Sequence, residues 1–170
     1  MITYRRPELI EAEAFAALHV QCWREAYAGI VPLALLESFT PQQRIPHWHR
    51  WIADKNLLIV AAYDGEKAIG FVTAGKPDEL LHDGMDGQIY GFYIAASYHR
   101  LGIGRNLLNK IKNIWMENGG HALTLGVLAK NTRARRFYEA MGGKLVRTGI
   151  YDWSGFKLAD AIYLFEGLER

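Results

Sequence analysis

Cysteine and long apolar runs are scarce in this 170-residue sequence. Cys22 is the only cysteine, which excludes an intrachain disulfide and a thiolate zinc site. No apolar run reaches the length of a membrane span, and the first residues lack the pattern of a signal peptide. We therefore expect a cytoplasmic protein that does not act at a membrane.

A marked excess of either charge is also missing. Twenty Lys and Arg stand against 18 Asp and Glu, and no basic run or RNA-type aromatic motif occurs, so no nucleic-acid partner is expected. The length of 170 residues predicts one domain over residues 1–170, and 50% apolar residues are typical of a globular protein. Among six histidines only His82 lies next to a carboxylate, that of Asp83. A solvated turn explains this pair better than a metal ion, so no metal is predicted.

The most informative segment that is present covers residues 92–108, FYIAASYHRLGIGRNLL. An apolar strand leads through Gly102 and Gly104 into a helix, which directs free backbone N–H groups at one small volume. Arg100 and Arg105 add positive charge, so the segment is a candidate site for a phosphate or pyrophosphate. A tight turn without a ligand is the alternative. A Walker loop is excluded, and Leu107 replaces the third glycine of a Rossmann fingerprint.

Hydrophobic spacing and turn residues predict an α+β layout. Asp64-Gly65 predicts a hairpin, Asn131 predicts a helix N-cap, and the first helix buries a face that starts at Leu9. The predicted strands are Ile2–Arg5, Leu57–Ala62, Lys67–Ala74, Gln88–Ala95, Ala122–Val127, Lys144–Tyr151 and Asp160–Glu166, and the predicted helices run from Glu8 to about Tyr27, through Leu36, from Pro41 onward, up to Glu117 and up to Met141.

Three segments in this order resemble the GNAT superfamily of acetyl-CoA-dependent N-acetyltransferases. They are the strand 92–94, the turn 99–104, and LGVLAKN at 125–131 followed by FYEAMG at 137–142. The resemblance covers roughly residues 57–151. It implies a central mixed, mostly antiparallel sheet of about six to seven strands flanked by helices in three αβα layers.

The resemblance also implies roles for individual positions, with acetyl-CoA as co-substrate and no metal. The backbone of Phe92, Tyr93 and Ile94 would pair with the pantetheine arm. Asn131 would hydrogen-bond the cofactor, and Tyr138 would contact it and protonate the departing thiolate. The pyrophosphate would be held by the residues of the turn, namely Arg100, Leu101, Gly102, Ile103, Gly104 and Arg105.

Thioester chemistry agrees with a tyrosine acid. Aminolysis needs a neutral amine, a polarised carbonyl and a proton for the leaving sulfur, and a phenol of ordinary pKa about 10 can supply that proton. Core packing is the alternative for Tyr138, because it lies on the apolar stripe of its helix. For Asn131 the alternative is plain N-capping, and both roles are compatible.

The sequence departs from the family pattern at two points. His99 stands where a glutamine or arginine usually opens the phosphate motif. In addition, strand four offers only Gln88, Tyr90, Phe92 and Tyr93 as candidate groups, and strand five offers Gly126, so neither carries a carboxylate base. The base is unassigned, with ordered water, Tyr90 or a residue of the N-terminal helices as candidates.

Aromatic residues suggest where the acceptor amine binds. Trp23, Tyr27 and Tyr90 are the candidates, since aromatic rings hold amines through cation–π contact. Core packing is the alternative for each of them. The predicted function is acetyl transfer to a primary amine of a small molecule or peptide, by direct attack in a ternary complex. A non-catalytic CoA or acetyl-CoA sensor and a structural domain are the alternatives, and a homodimer is left open.

Overall fold

Seven strands form one sheet with the order β1-β2-β3-β4-β5-β7-β6. The computed structural model describes residues 1–77 and 86–166, so the His82-Asp83 pair lies outside the described residues. The strands are β1 Ile2–Arg5, β2 Leu58–Asp64, β3 Lys67–Gly75, β4 Gly87–Ile94, β5 Leu123–Leu128, β6 Lys144–Trp153 and β7 Phe156–Phe165. β4 and β5 pair in parallel, whereas β1–β2, β2–β3, β5–β7 and β6–β7 pair antiparallel. The predicted mixed, mostly antiparallel sheet is confirmed.

Five α-helices flank the strands along the described parts of the chain. They are α1 Ala12–Tyr27, α2 Leu33–Ser38, α3 Pro41–Ala53, α4 Ile103–Glu117 and α5 Thr132–Ala140. The described residues fall into two compact units. The first comprises Met1–Ala74 and Gly91–Ile111, and the second the described residues of Gly75–Tyr90 and Lys112–Arg170. The expectation of a single domain stays a prediction.

The first unit has an aromatic core. Phe15 of α1, Trp48 of α3 and Phe71 of β3 are each 0% exposed. The ring centroids of Phe15 and Trp48 lie 4.9 Å apart, and those of Trp48 and Phe71 lie 4.7 Å apart. The predicted apolar face of the first helix holds except at Leu9, which is 50% exposed. Leu9 belongs to a 3-10 turn that precedes α1, so its angular position differs from that of an α-helical residue.

Two hairpins differ in how well the sequence predicts them. The β2–β3 turn is confirmed, because Asp64 pairs with Lys67 and Gly65 adopts a φ of 60°. The β6–β7 turn is shorter than predicted. Ser154 (φ 49°) and Gly155 (φ 88°) form it, and β7 starts at Phe156 rather than four residues later. Pairing with β6 extends the strand through this segment, where the apolar pattern is weak.

Candidate functional site

The strand-to-helix segment of the first unit contains two residues in the left-handed backbone region. After β4, a 3-10 turn spans Ala96–Tyr98. Arg100 then has a φ of 63° and Gly102 a φ of 78°, and α4 begins at Ile103. Non-glycine residues seldom adopt positive φ, so the geometry at Arg100 is one that the fold must hold in place.

Backbone donors and cationic side chains coincide at this segment. The first N–H groups of a helix have no partner in the helical ladder. Among the described residues, no hydrogen bond outside that ladder takes an N–H of residues 100–105 as donor. Ile103 is 2% exposed and anchors the helix start in the core, whereas Arg100 and Arg105 are exposed. The arrangement can bind an anion through backbone amides, the helix dipole and guanidinium charge.

His99 ties the turn back to the strand. Its Nε2 lies 2.7 Å from the carbonyl oxygen of Ile94, and that contact is partly buried. A carbonyl only accepts, so Nε2 carries the proton. His99, which departs from the family pattern, therefore links the turn to the last residue of β4 through this hydrogen bond.

Glu25, near the end of α1, was not among the predicted site residues. Its Oε2 accepts a hydrogen bond of 2.7 Å from the backbone N–H of Ala96, 71 positions along the chain. This carboxylate fixes Ala96, the second residue after β4, to α1. Sequence spacing carried no signal for it, because the contact depends on the tertiary fold.

The strand predicted to bind pantetheine is half-buried. Tyr93 packs against Phe71 and His19, with ring centroids 5.7 Å and 5.1 Å away. A Cβ at Gly70 would lie 2.9 Å from the Tyr93 carbonyl oxygen, so glycine permits the close approach of β3. Ala95 donates its N–H to the Ile69 carbonyl at 2.9 Å. These contacts hold the end of β4 in place.

In the second unit, Asn131 and Tyr138 belong to the same helical segment. Asn131 is the N-cap of α5, and its side-chain oxygen accepts from the Ala134 N–H at 3.3 Å, which confirms the capping prediction. Tyr138 is 6% exposed, with its ring 6.0 Å from that of Tyr163. The Gly143 N–H donates to the Tyr138 carbonyl at 2.8 Å.

A polar network orients α5 against β7. The Arg135 Nε donates to the Tyr163 hydroxyl at 3.0 Å, and that hydroxyl donates to the Glu139 carboxylate at 2.7 Å. Arg135 also donates to the Ala129 carbonyl at 3.1 Å. Burial raises the pKa of Tyr163, although the hydrogen bond from Arg135 acts in the opposite direction. The network fixes the rotation of the helix that carries Tyr138.

Comparison with known proteins identifies the family. The profile of the acetyltransferase (GNAT) family matches residues 13–143. The chain belongs to the GNAT family. The uncharacterized N-acetyltransferase YuaI of Bacillus subtilis is 27% identical to this GNAT chain over 162 residues, which cover 94% of this chain and 90% of YuaI. The family inferred from the sequence is thereby confirmed.

Solved structures share the fold. The PaiA N-acetyltransferase from Thermoplasma acidophilum, in complex with coenzyme A, has a TM-score of 0.75 and 20% identity over 98% of this chain and 99% of its own. NAA60 from Arabidopsis thaliana, in complex with a bisubstrate analogue, has a TM-score of 0.76 and 17% identity over 98% of each chain. Together with the family assignment, these likenesses make this GNAT chain an acyltransferase of the N-acetyltransferase type.

The three residues predicted to contact the acceptor have different environments in the GNAT chain. Trp23 is 0% exposed, and its indole N–H donates to the Leu36 carbonyl at 3.1 Å. Tyr27, 8% exposed, packs on the Trp23 ring at 4.6 Å. Tyr90 is 37% exposed, and its hydroxyl donates to the Lys76 carbonyl. Burial favours a packing role for Trp23 and Tyr27, and their acceptor role stays a prediction.

Two kinds of feature are absent from the described ranges 1–77 and 86–166. These residues contain no group of three or more His, Cys, Asp or Glu side chains arranged to hold a metal ion. Within the same ranges, no helix has both the length and the apolar character required to cross a bilayer.

Proposed function

We propose that this GNAT chain transfers the acetyl group of acetyl-CoA to a primary amine by direct attack in a ternary complex. The observation that carries the proposal is the turn at residues 100–105, where backbone amides, a helix N-terminus and two arginines occur together. The complexes of PaiA with coenzyme A and of NAA60 with a bisubstrate analogue support this choice of co-substrate and of a ternary complex.

Each proposed binding residue acts on one part of acetyl-CoA. The amides of residues 100–105, with the Arg100 and Arg105 side chains, bind the pyrophosphate. The backbone of residues 92–94 pairs with the pantetheine arm in the manner of an added strand. Asn131 donates a side-chain amide hydrogen to the cofactor while its oxygen caps α5.

Transfer proceeds by addition and elimination. The neutral amine nitrogen attacks the thioester carbonyl carbon, and a tetrahedral intermediate forms. The C–S bond then breaks, and the CoA sulfur receives the hydroxyl proton of Tyr138. The nitrogen loses its extra proton to water, and the Tyr138 phenolate regains a proton from water, so the products are an N-acetyl amine and free CoA thiol.

Removal of the amine proton is assigned to water. β4, with the sequence GQIYGFYI, and β5, with the sequence LTLGVL, contain no acidic residue. A chain of ordered water molecules can deliver the proton to solvent in such a site. The absence of a carboxylate from these two strands also favours the second candidate function, a CoA or acetyl-CoA sensor without turnover.

Two measurements test the proposal and separate it from the sensor. Calorimetry of the full chain with acetyl-CoA should give saturable binding, and free-thiol release across a panel of primary amines should give turnover. Binding without turnover of any amine would favour the sensor. Lack of acetyl-CoA binding would contradict both functions.

A further inference from the structure

Arg44 of α3 has a guanidinium group that is buried on one side without a polar partner. Its carbon Cζ lies 4.0 Å above the centroid of the Phe39 ring. Its Nε is inaccessible to solvent and makes no hydrogen bond to any of the described residues. Buried N–H donors are nearly always paired in folded proteins, so this Nε–H is a donor that a bound ligand can use.

The charge of Arg44 has a cation–π contact with Phe39 but no ion-pair partner among the described residues. The ion pairs of the described residues involve Arg5, Lys144 and the N-terminal amine, but not Arg44. Burial lowers the pKa of the Arg44 guanidinium, and the Tyr93 hydroxyl raises it. A cation that is partly removed from water without a counter-charge attracts an anion.

The surroundings of Arg44 belong to the part of the first unit near β4. Helical spacing puts Arg44 on the same face of α3 as Trp48 and Trp51. The Phe39 ring on which Arg44 stacks lies 5.3 Å from the His19 ring, and the His19 ring lies 5.1 Å from that of Tyr93. The guanidinium therefore lies among aromatic rings that adjoin the strand proposed to hold the pantetheine.

We propose that Arg44 binds the carboxylate of the acceptor and that the acceptor is a free amino acid. The proposal rests on the acetyltransferase function above and narrows its substrate class. A carboxylate can accept from Nε and one terminal N–H of a guanidinium at once, which satisfies the buried donor and the charge together. The aromatic surroundings favour an amino acid with an apolar side chain.

Matched acceptors test this substrate class without altering the protein. With saturating acetyl-CoA, free-thiol release is measured for L-phenylalanine, L-phenylalaninamide and 2-phenylethylamine, and for L-leucine and L-leucinamide. A charge-assisted hydrogen bond contributes enough free energy for us to expect kcat/KM, expressed per concentration of neutral amine, to be about 10- to 100-fold higher for the acids than for the amides. This correction for ionisation is needed because the amides have the lower amine pKa. Equal or higher kcat/KM of the amides on the same basis would overturn the proposal.

Variants at position 44 then test whether Arg44 causes the preference for the acid over the amide. Arg44→Gln should remove the preference for acid over amide while leaving the Kd of acetyl-CoA within about twofold. Arg44→Lys, which keeps the charge and loses the planar fork, should retain part of the preference. Arg50→Gln is the control, because it removes one charge from the exposed face of α3, where Arg50 contacts Nδ1 of His47. A full preference in Arg44→Gln would overturn the assignment.

A binding measurement tests the carboxylate site independently of the acetyltransferase function. L-phenylalanine and its amide are titrated into the protein saturated with CoA, and melting temperatures are recorded. Stabilisation by the acid alone, lost in Arg44→Gln, would support the carboxylate site even without turnover. No stabilisation by the acid would overturn the site. A weakened Kd for acetyl-CoA in Arg44→Gln would instead mean that the anion bound at Arg44 belongs to the cofactor.

Discussion

The indole N–H of Trp48 donates a hydrogen bond of 3.3 Å to Nδ1 of His19 inside the core of the first unit. Because Nδ1 accepts, the neutral ring carries its proton on Nε2. His19 is 5% exposed and is surrounded by the rings of Phe39, Phe71 and Tyr93. A second proton would replace the accepting lone pair and place a charge among apolar rings.

Acid should therefore destabilise the protein through His19. Burial, followed by the Arg44 and His47 charges, lowers the pKa of His19 from 6.5 to about 3. The stability that the neutral His19 ring contributes is complete above the ordinary pKa of 6.5. It is lost as pH falls toward about 3, because the unfolded chain binds a proton that the folded chain does not. The free energy of unfolding should fall by up to about 1.4 kcal/mol per pH unit in this range.

His19→Gln isolates that contribution. Glutamine can still accept from the Trp48 N–H but does not titrate. The free energy of unfolding, measured with urea, should therefore fall less steeply from pH 6.5 to 4.5 than it does in the wild type. His49→Gln, at an exposed position of α3, should keep the wild-type slope. The same fall of unfolding free energy with pH in His19→Gln and in the wild type would contradict the role given to His19.

Gly102→Ala should weaken acetyl-CoA binding beyond its effect on stability. A Cβ at Gly102 meets no atom within 4 Å, but the φ of 78° is strained for alanine by about 1–2 kcal/mol. Gly119→Ala is matched, because Gly119 has a φ of 87° and the same open surroundings after α4. Chemical unfolding should give similar losses for both variants, and calorimetry a higher Kd only for Gly102→Ala. Equal Kd values would speak against the pyrophosphate assignment.

Tyr138→Phe should lower kcat about 100-fold or more, since general acids contribute typically 10²–10⁴ to a rate. The phenylalanine ring keeps the packing against Tyr163, so the fall in kcat should exceed the changes in the Kd of acetyl-CoA and in stability. Tyr4→Phe, which removes the hydroxyl that accepts from Asn106, should leave kcat unchanged. Unaltered thiol release in Tyr138→Phe would show that another group protonates the sulfur.

Tyr163→Phe should act mainly on stability. It removes the acceptor of Arg135 Nε and the donor to Glu139, so urea unfolding should show a loss of about 1–3 kcal/mol. Because the network positions α5 and does not supply the proton, kcat should fall less than in Tyr138→Phe. A larger fall in kcat than in Tyr138→Phe would mean that the network takes part in proton transfer.

Local signals predicted much of the fold. Asp64-Gly65 specified the first hairpin, and Asn131 specified the start of α5, because in each case neighbouring residues alone determine the geometry. The start of β7 at Phe156 was missed, since its first residues gain strand structure from pairing with β6. The exposure of Leu9 was also missed, because the pattern does not distinguish a 3-10 turn from the α-helix that follows.

The candidate site was predicted where a motif exists and missed where side chains from distant elements meet. The turn at residues 100–105 has a recognisable sequence, whereas Glu25 and Arg44 lie on helices with no motif. Arg44 did carry a faint signal, because it interrupts the apolar face that also contains Trp48 and Trp51. Its unpaired Nε is visible only in three dimensions.

The hydrogen bond from Ala96 to Glu25 also bears on the engineering of acceptor specificity. A replacement of α1 by the helix of a GNAT enzyme without a carboxylate at this position would remove the group that holds Ala96. If residues 92–94 bind pantetheine as proposed, the chimera would then lose cofactor affinity for a reason unrelated to its new acceptor contacts. Helix grafts should therefore keep a hydrogen-bond acceptor at position 25 in addition to the residues on the buried face of α1.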